Sequence, residues 1–244
     1  MIKLIGDSNS KAYAMALKQD GTEGIDLAAA LTQKFGVPEA RMVLPGYAFF
    51  EKFYKFGENR VVFRNVSEPE LGRYALTLDS DTIYGFSFGF HTAVMLRQNY
   101  WSNFTILPGP TEKTYISKGA FKKMVLDENK NTLLFVQELK NRGIKFFLVG
   151  APPVRQGQID RHAGACSAEE ILLLRDQYLK IMAEAFDALG VTYILPPEEV
   201  MDGKLLKPEY ESTGPNDVHH ANRKYGVLMW RYIMDNLNMG TVAA

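Results

Sequence analysis

The sequence contains a single cysteine, Cys166, which excludes an internal disulfide and any metal site built on several cysteines. Its charges balance, with 28 lysine and arginine residues against 28 aspartate and glutamate residues. Without a basic excess there is no electrostatic footprint for a phosphate backbone, so nucleic acid is not expected as a partner. The four histidines have neither His-x-His nor His-Glu-x-x-His spacing, and we predict no metal and no cofactor.

Long apolar runs are also missing. No stretch of about 18 apolar residues could cross a membrane, and the first residues contain no apolar run of signal-peptide length. These absences predict a soluble, cytoplasmic protein with no membrane partner. The sequence also lacks repeats, low-complexity tracts and Pro- or Gly-rich linkers. Its length therefore favours a single domain over residues 1–244.

What the sequence does contain is an alternation of apolar strands and helices. The predicted strands are 1–5, 41–44, 60–64, 82–88, 144–149 and 191–195. The predicted helices are 24–35, one starting near 92, 118–142, 167–189 and 221–237; Ser167 and Glu170 have capping-box spacing. This alternation favours a three-layer α/β/α sandwich around a mainly parallel sheet. Residues 47–80, rich in aromatic and charged side chains, fit the pattern poorly and are a candidate insertion.

Two polar motifs bracket the α/β pattern. Gly6-Asp7-Ser8 directly follows the first strand, where glycine permits a tight turn and the serine reaches the carboxyl edge of the sheet. Asp217 stands three residues before His220, just ahead of the last helix, and can hold the imidazole Nδ1–H while Nε2 accepts a serine proton. His219 is an alternative base, although the Asp-x-x-His and His-x-Asn spacings favour His220. Taken singly, each motif is also explained by turn and capping residues.

In this order along the chain, the two motifs resemble those of the SGNH/GDSL hydrolase family. The resemblance implies a flavodoxin-like sheet, with Ser8 as the nucleophile, His220 as the general base and Asp217 as the carboxylate that orients it. The final motif continues through His220-Ala-Asn-Arg-Lys-Tyr-Gly226, which is also similar to the last sequence block of that family.

The resemblance further implies an oxyanion hole, to which the family contributes a glycine after the second strand and an asparagine after the third. Gly46 fits the first position. At the second position the chain has Gly89-Phe-His91, so a histidine stands where the family has asparagine. A histidine ring nitrogen can donate a hydrogen bond in one tautomer, and His91 and Gly89 are therefore the predicted substrate-binding residues there.

A competing interpretation places the nucleophile elsewhere. Gly85-Phe-Ser87-Phe-Gly89 matches Gly-x-Ser-x-Gly between a predicted strand and a predicted helix, which is the context of an α/β-hydrolase nucleophile elbow. In that case Ser87 attacks, and the partners come from a later base (His219 or His220) and acid (Asp160 or Asp187). This interpretation leaves the Gly6-Asp7-Ser8 motif without a role.

The function that the resemblance implies is hydrolysis of a carboxylic ester through an acyl-enzyme on Ser8. An acetylated sugar, another short acyl ester or a thioester would be a suitable substrate. Two alternatives remain open. The same residues could transfer an acyl group to a carbohydrate hydroxyl, as an O-acyltransferase does. The histidine in place of the oxyanion asparagine is also consistent with a non-catalytic glycan-binding module.

Overall fold

A computed structural model describes residues 1–18, 22–44, 52–64, 73–96, 99–214 and 216–237. Its strands are β1 (Ile2–Gly6), β2 (Pro38–Met42), β3 (Tyr54–Phe56), β4 (Arg60–Arg64), β5 (Arg73–Thr77), β6 (Ile83–Ser87), β7 (Phe104–Thr105), β8 (Thr114–Tyr115), β9 (Phe146–Val149), β10 (Tyr193–Ile194), β11 (Met201–Asp202) and β12 (Leu205–Leu206). Its helices are α1 (Ser10–Ala16), α2 (Thr22–Phe35), α3 (Ala93–Leu96), α4 (Lys118–Glu128), α5 (Lys130–Asn141), α6 (Gln156–His162), α7 (Ala168–Ala188) and α8 (Arg223–Asn236).

Five strands form a central parallel sheet in the order β2-β1-β6-β9-β10. Numbered along the chain, these five strands have the order 2-1-3-4-5, which is the flavodoxin-like arrangement. The predicted mainly parallel α/β fold is therefore confirmed. The order reverses between β1 and β6, and ligands of such sheets bind in the crevice at the carboxyl ends of the strands at this point.

The strands bury alternate residues on opposite faces, because successive side chains of a strand point to opposite sides of the sheet. Leu4 of β1 packs in one core with Leu31 of α2 and Trp230 of α8. Ile5, the next residue, packs in a second core with Phe135 of α5. Helices therefore cover both faces of the sheet, which gives the predicted three layers.

Helices α1 and α8 pack against each other at unusually short range. A Cβ atom at Gly226 of α8 would overlap the carbonyl oxygen of Ala12 and lie 2.5 Å from its carbonyl carbon. Only glycine permits this approach. The Trp230 indole N–H donates to the Tyr13 carbonyl at 3.1 Å and reinforces the contact. Since α1 follows the first polar motif and α8 follows the second, this packing brings the two ends of the sequence together.

The helix predicted over residues 118–142 is in fact two helices, α4 and α5, which meet at Asn129. The Asn129 amide donates to the Val125 carbonyl at 2.9 Å, and its oxygen accepts from the Tyr178 hydroxyl of α7 at 3.0 Å. Asparagine side chains compete with the helical backbone for hydrogen bonds. The break follows from this contact with a distant helix, so the prediction of one continuous helix was wrong.

The remaining differences lie at short or peripheral elements. The second strand occupies Pro38–Met42 rather than 41–44, because it pairs with β1 along the edge of the sheet and is only partly buried. Helices α1 and α6 were not predicted. Within residues 47–80, strand β4 lies where it was expected and joins β3 and β5 in an antiparallel sheet. That this segment is an insertion stays a prediction. In the described part of the chain, no helix is both long and apolar enough to cross a membrane.

Candidate active site

Side chains from the two ends of the chain meet at the carboxyl end of β1. The Nε2 atom of His220 lies 2.7 Å from Ser8 Oγ, and its Nδ1 atom lies 2.9 Å from Asp217 Oδ1. Both distances are within hydrogen-bond range for a nucleophile, a base and an orienting group. The contact with the carboxylate favours the tautomer protonated on Nδ1, which leaves Nε2 to accept the Ser8 proton. All three side chains are half-buried.

Ser8 is placed by a tight turn between β1 and α1. The Asp7 carbonyl accepts hydrogen bonds from the Ser10 N–H at 3.0 Å and from the Ser10 hydroxyl at 2.6 Å. Strand β1 can enter this turn beside β6 because residue 6 is glycine. A Cβ atom at Gly6 would overlap the Ser87 Oγ atom and lie 3.0 Å from Ser87 Cβ. Gly6 is therefore explained by the close packing of β1 on β6, whereas the position of Ser8 is explained by the tight turn.

Asp7, between them, is fully buried. Its Oδ1 atom accepts the Asn9 N–H at 2.8 Å, which closes the turn on the far side of Ser8. Burial raises the pKa of Asp7, and the nearby His91 and His220 together with the Asn9 contacts offset only part of this effect. The turn that carries the candidate nucleophile thus contains a carboxyl group whose ionised form is disfavoured by its surroundings.

His220 and Asp217 lie on a loop whose two ends are joined. Glu211 and Ala221 form an isolated antiparallel bridge at its base. Asn222 begins α8, and its side chain accepts the Tyr225 N–H at 3.3 Å. The same side chain donates to the carbonyls of Glu209 at 2.8 Å and Glu211 at 3.0 Å. The asparagine two residues after the histidine therefore caps the last helix and fastens the loop to it.

Within the loop, Asp217 is held by the residues that follow it. Its Oδ1 atom accepts the backbone N–H of His220 at 3.1 Å and that of His219 at 3.4 Å. Burial alone would raise the pKa of Asp217, but the Ser212 hydroxyl, His220 and these backbone N–H groups together lower it to about 2. Asp217 is therefore ionised at neutral pH. Asn216 enters this turn in the left-handed region, with a φ of 65°, which asparagine tolerates better than most residues.

Arg155 was not among the predicted site residues. It is buried at the carboxyl end of β9, and its guanidinium donates to the carbonyls of His220 at 2.9 Å and Ser212 at 3.0 Å. It also donates to the Glu211 carboxylate at 2.9 Å and lies 3.8 Å from Asp217 Oδ1. No short motif marks it. The usable signal was its position, since it lies in the segment that leaves the carboxyl end of β9, a strand of the parallel sheet.

The predicted oxyanion residues have different outcomes. Gly46 lies outside the described residues. Gly89 has a φ of 91°, and a Cβ atom there would lie 2.9 Å from the ring of Phe186, so packing and backbone conformation both explain the glycine. His91 is half-buried, and its ring lies edge-on to that of His219 at 6.2 Å. Both histidines line a small pocket, which is completed by Asn9, Thr92, Ala151, Pro152, Val154 and Gln158.

Ser87, the competing nucleophile, is the last residue of β6 and is buried. Its hydroxyl has no hydrogen-bond partner among the described residues, whereas an elbow nucleophile must be exposed and contact a base. The acids assigned to it have other contacts. Asp160 accepts from Gln156 at 2.8 Å, and Asp187 lies 3.4 Å from the Tyr193 hydroxyl. The structure therefore contradicts the α/β-hydrolase interpretation.

A group of side chains with the spacing of metal ligands overlaps this site. Among the residues that the structure describes, Asp217, His219 and His220 form the one such group, with candidate ligand atoms within 4.8 Å of one another. The carboxylate and the His220 ring already contact each other, and the ring also contacts Ser8. These contacts have the geometry of a serine, a histidine and a carboxylate arranged for proton transfer.

Comparisons with known proteins give structural likeness only. Neither a protein-family model nor a curated protein sequence matches the chain. Similar solved structures include the acetyl xylan esterase AlAXEase, at 14% identity and a TM-score of 0.47, with 98% of this chain and 100% of that one covered. A carbohydrate acetylesterase family member from Sinorhizobium meliloti has 15% identity and a TM-score of 0.47, covering 96% of this chain and 95% of that one. A structure from Desulfitobacterium hafniense, described as a lipolytic protein of the G-D-S-L family, has 11% identity and a TM-score of 0.47, covering 97% and 98%.

Proposed function

We propose that this protein is a serine hydrolase of the SGNH/GDSL kind that cleaves a carboxylic ester. The observation that carries the proposal is the unbroken series of contacts from Ser8 Oγ to His220 Nε2 at 2.7 Å and from His220 Nδ1 to Asp217 at 2.9 Å. The series lies at the crevice where the strand order of the sheet reverses, which is where such sheets bind ligands.

In the proposed reaction, Ser8 Oγ attacks the acyl carbonyl and its proton passes to His220 Nε2. The tetrahedral intermediate then collapses, the ester C–O bond breaks, and His220 returns the proton to the departing alcohol. Water attacks the acyl-enzyme by the same route and releases the carboxylic acid together with free Ser8. Asp217, which is ionised at neutral pH, stabilises the imidazolium formed in both steps.

The oxyanion requires donors beside Ser8. We assign this role to the backbone N–H groups of Ser8 and Gly46 and to the ring of His91, with Gly89 shaping the turn that carries His91. A matched pair of variants tests the histidine. Loss of one oxyanion donor lowers kcat by about 10²–10³-fold, which is the effect expected for His91→Ala. His91→Asn, which restores a donor of the family type, should keep most of the activity. If the unmodified protein, His91→Ala and His91→Asn had equal activity, His91 would not be part of the oxyanion hole.

The proposal is tested by hydrolysis of p-nitrophenyl acetate and by labelling with a fluorophosphonate probe. Ser8→Ala should abolish both turnover and labelling. Ser87→Ala, the same chemical change at the buried serine, should leave turnover close to that of the unmodified protein. If Ser8→Ala remains active, the proposed nucleophile is wrong.

The same assays separate the two alternative functions. An O-acyltransferase would label at Ser8 but would transfer the acyl group when sugar acceptors are added, so product analysis with and without acceptor distinguishes it from a hydrolase. A non-catalytic glycan-binding module would not label, yet would bind glycans. The substrate class that we propose, an acyl ester on a carbohydrate or small metabolite, is examined by comparing acetylated sugars with simple acyl esters.

A further inference from the structure

Arg155 joins the two ends of the loop that carries His220, the proposed general base, and Asp217. Ser212 and His220 face each other across this base, where the Ser212 N–H donates to the His220 carbonyl at 3.1 Å. One guanidinium nitrogen of Arg155 donates to that same His220 carbonyl at 2.9 Å, and the other donates to the Ser212 carbonyl at 3.0 Å. The Arg155 side chain therefore forms hydrogen bonds with both ends of the loop. One of its acceptors is the carbonyl of His220, whose ring faces Ser8.

The backbone that carries Arg155 is itself well anchored. Arg155 is the first residue before α6, and its carbonyl accepts the Gln158 N–H at 3.0 Å. The preceding residue, Val154, forms a parallel bridge with Leu205 and accepts the Leu206 N–H at 2.8 Å. Two prolines, at positions 152 and 153, restrict the chain between β9 and this bridge. The arginine is thus fixed relative to the central sheet, and the loop is held against it.

Arg155 also sets the charge around the imidazole. Its side chain is only 8% exposed, and it contacts two carboxylates, Glu211 at 2.9 Å and Asp217 at 3.8 Å. With the arginine in place, the three ionised groups sum to one negative charge. Without it, two negative charges would remain, one of them Asp217 in contact with the His220 ring, and they would favour the protonated ring. The other titratable groups near this ring, His219 at 4.0 Å between ring centroids and the buried Asp7, are unchanged when Arg155 is replaced.

We propose that Arg155 is a positioning residue for the proposed hydrolase reaction, which orients His220 through its carbonyl and limits the negative charge beside its ring. The inference rests on the proposed roles of Ser8, His220 and Asp217. Arginine suits both tasks because its rigid fork satisfies several acceptors at once, whereas lysine supplies the charge without the fork.

Three variants separate the orienting effect from the charge effect. Arg155→Lys keeps the charge but loses the fork, so kcat should fall about tenfold while the acid limb of the pH–rate profile stays in place. Arg155→Met loses both, so kcat should fall about 10²-fold, as expected for a misplacement of about 1 Å, and the acid limb should move to higher pH. In the double variant that combines Arg155→Met with Glu211→Gln, only the negative charge of Asp217 remains at these three positions, which equals their net charge in the unmodified protein. Its acid limb should return to the original position while kcat stays low.

Arg161, in helix α6, provides a matched control close to Arg155 in the chain. It is exposed, and its guanidinium donates to the Asn216 carbonyl of the same loop at 2.8 Å. Arg161→Met should leave kcat and the position of the acid limb unchanged. The readout is kcat and KM for p-nitrophenyl acetate from about pH 5 to pH 9. Circular dichroism and thermal unfolding establish whether each variant is folded. If Arg155→Met is not folded, the kcat of Arg155→Lys tests the proposal.

The inference is overturned if Arg155→Lys has the original kcat, or if the folded Arg155→Met protein has an unmoved acid limb. Failure of the proposed function is distinguishable in the same assay. If Ser8→Ala keeps its turnover, the proposed function fails, and the role of Arg155 fails with it. If Ser8→Ala is inactive while the Arg155 variants behave like the unmodified protein, only the role of Arg155 fails.

Discussion

The substitution Gly226→Ala tests whether the close packing of α8 on α1 holds the two halves of the site together. The added Cβ atom would lie 2.5 Å from the Ala12 carbonyl carbon and 3.1 Å from the Tyr13 nitrogen. The obstacle is helix backbone, which cannot rotate aside as the end of a long side chain can. We therefore expect α8 to move away from α1, and the His220 loop to move with it.

The size of the effect follows from these distances. Non-bonded carbons approach to about 3.5–4.0 Å, so a contact of 2.5 Å requires a movement of about 1 Å. A shift of that size would lengthen the 2.7 Å contact between Ser8 Oγ and His220 Nε2 beyond hydrogen-bond range. A misplacement of about 1 Å can cost about 10²-fold in rate. Overpacking of this kind destabilises by about 1–3 kcal/mol, which corresponds to a fall in Tm of about 2–12 °C for a chain of this size.

The assay is kcat/KM for p-nitrophenyl acetate together with thermal unfolding. Gly119→Ala is the matched control, because Gly119 lies in helix α4 and a Cβ atom there meets nothing within 4 Å. Alanine is the better helix former, so the control should keep its activity and its Tm should stay the same or rise slightly. If Gly226→Ala keeps kcat/KM within about twofold and its Tm matches that of the control, the close packing does not position the site.

Two further substitutions test the carboxyl groups of the site. Asp217→Asn should lower kcat by about 10³–10⁴-fold, because an amide can favour the wrong tautomer of His220. The folded state holds the pKa of Asp217 at about 2, below its ordinary 3.8, so this residue stabilises the fold above pH 3.8 and the contribution disappears as the pH falls toward 2. The variant should therefore lack this acid dependence in thermal unfolding. Asp7→Asn should raise Tm, because burial raises the pKa of Asp7 and the cost of its ionisation to the folded state accumulates as the pH rises above the unfolded value of 3.8. The gain should therefore be larger at neutral pH than in acid, and a Tm change that is independent of pH would contradict this account of Asp7.

Features specified by neighbouring residues were predictable from the sequence. Ser167 and Glu170 form the capping box that their spacing indicated, with the Ser167 hydroxyl accepting the Glu170 N–H at 3.1 Å. Strand β4 occupies the residues predicted for it, Arg60–Arg64, a short apolar run between two arginines. Such features depend on hydrogen bonds and periodicity within a few residues, and a single sequence carries that information.

Features that depend on distant partners were not predictable in this way. At the break between α4 and α5, Asn129 accepts a hydrogen bond from the hydroxyl of Tyr178, which lies 49 residues further along the chain. Arg155 meets its loop partners 56 to 65 residues away, so no local motif identifies it. The burial of Ser87 is a third case, because a Gly-x-Ser-x-Gly string reads the same whether its serine faces a crevice or the interior of the sheet.

The residues available for chemistry and their order along the chain are evident from the sequence alone: a serine follows the first strand, and an Asp-x-x-His motif precedes the last helix. The sequence also indicates the alternation of strands and helices, because burial of one face imposes a period on each element. By contrast, the 2.7 Å distance between Ser8 Oγ and His220 Nε2, 212 residues apart in the chain, is a result of the tertiary fold. The physical reason is that this distance depends on how α8 packs on α1 and on how the sheet orders its strands, and both are properties of the whole folded chain.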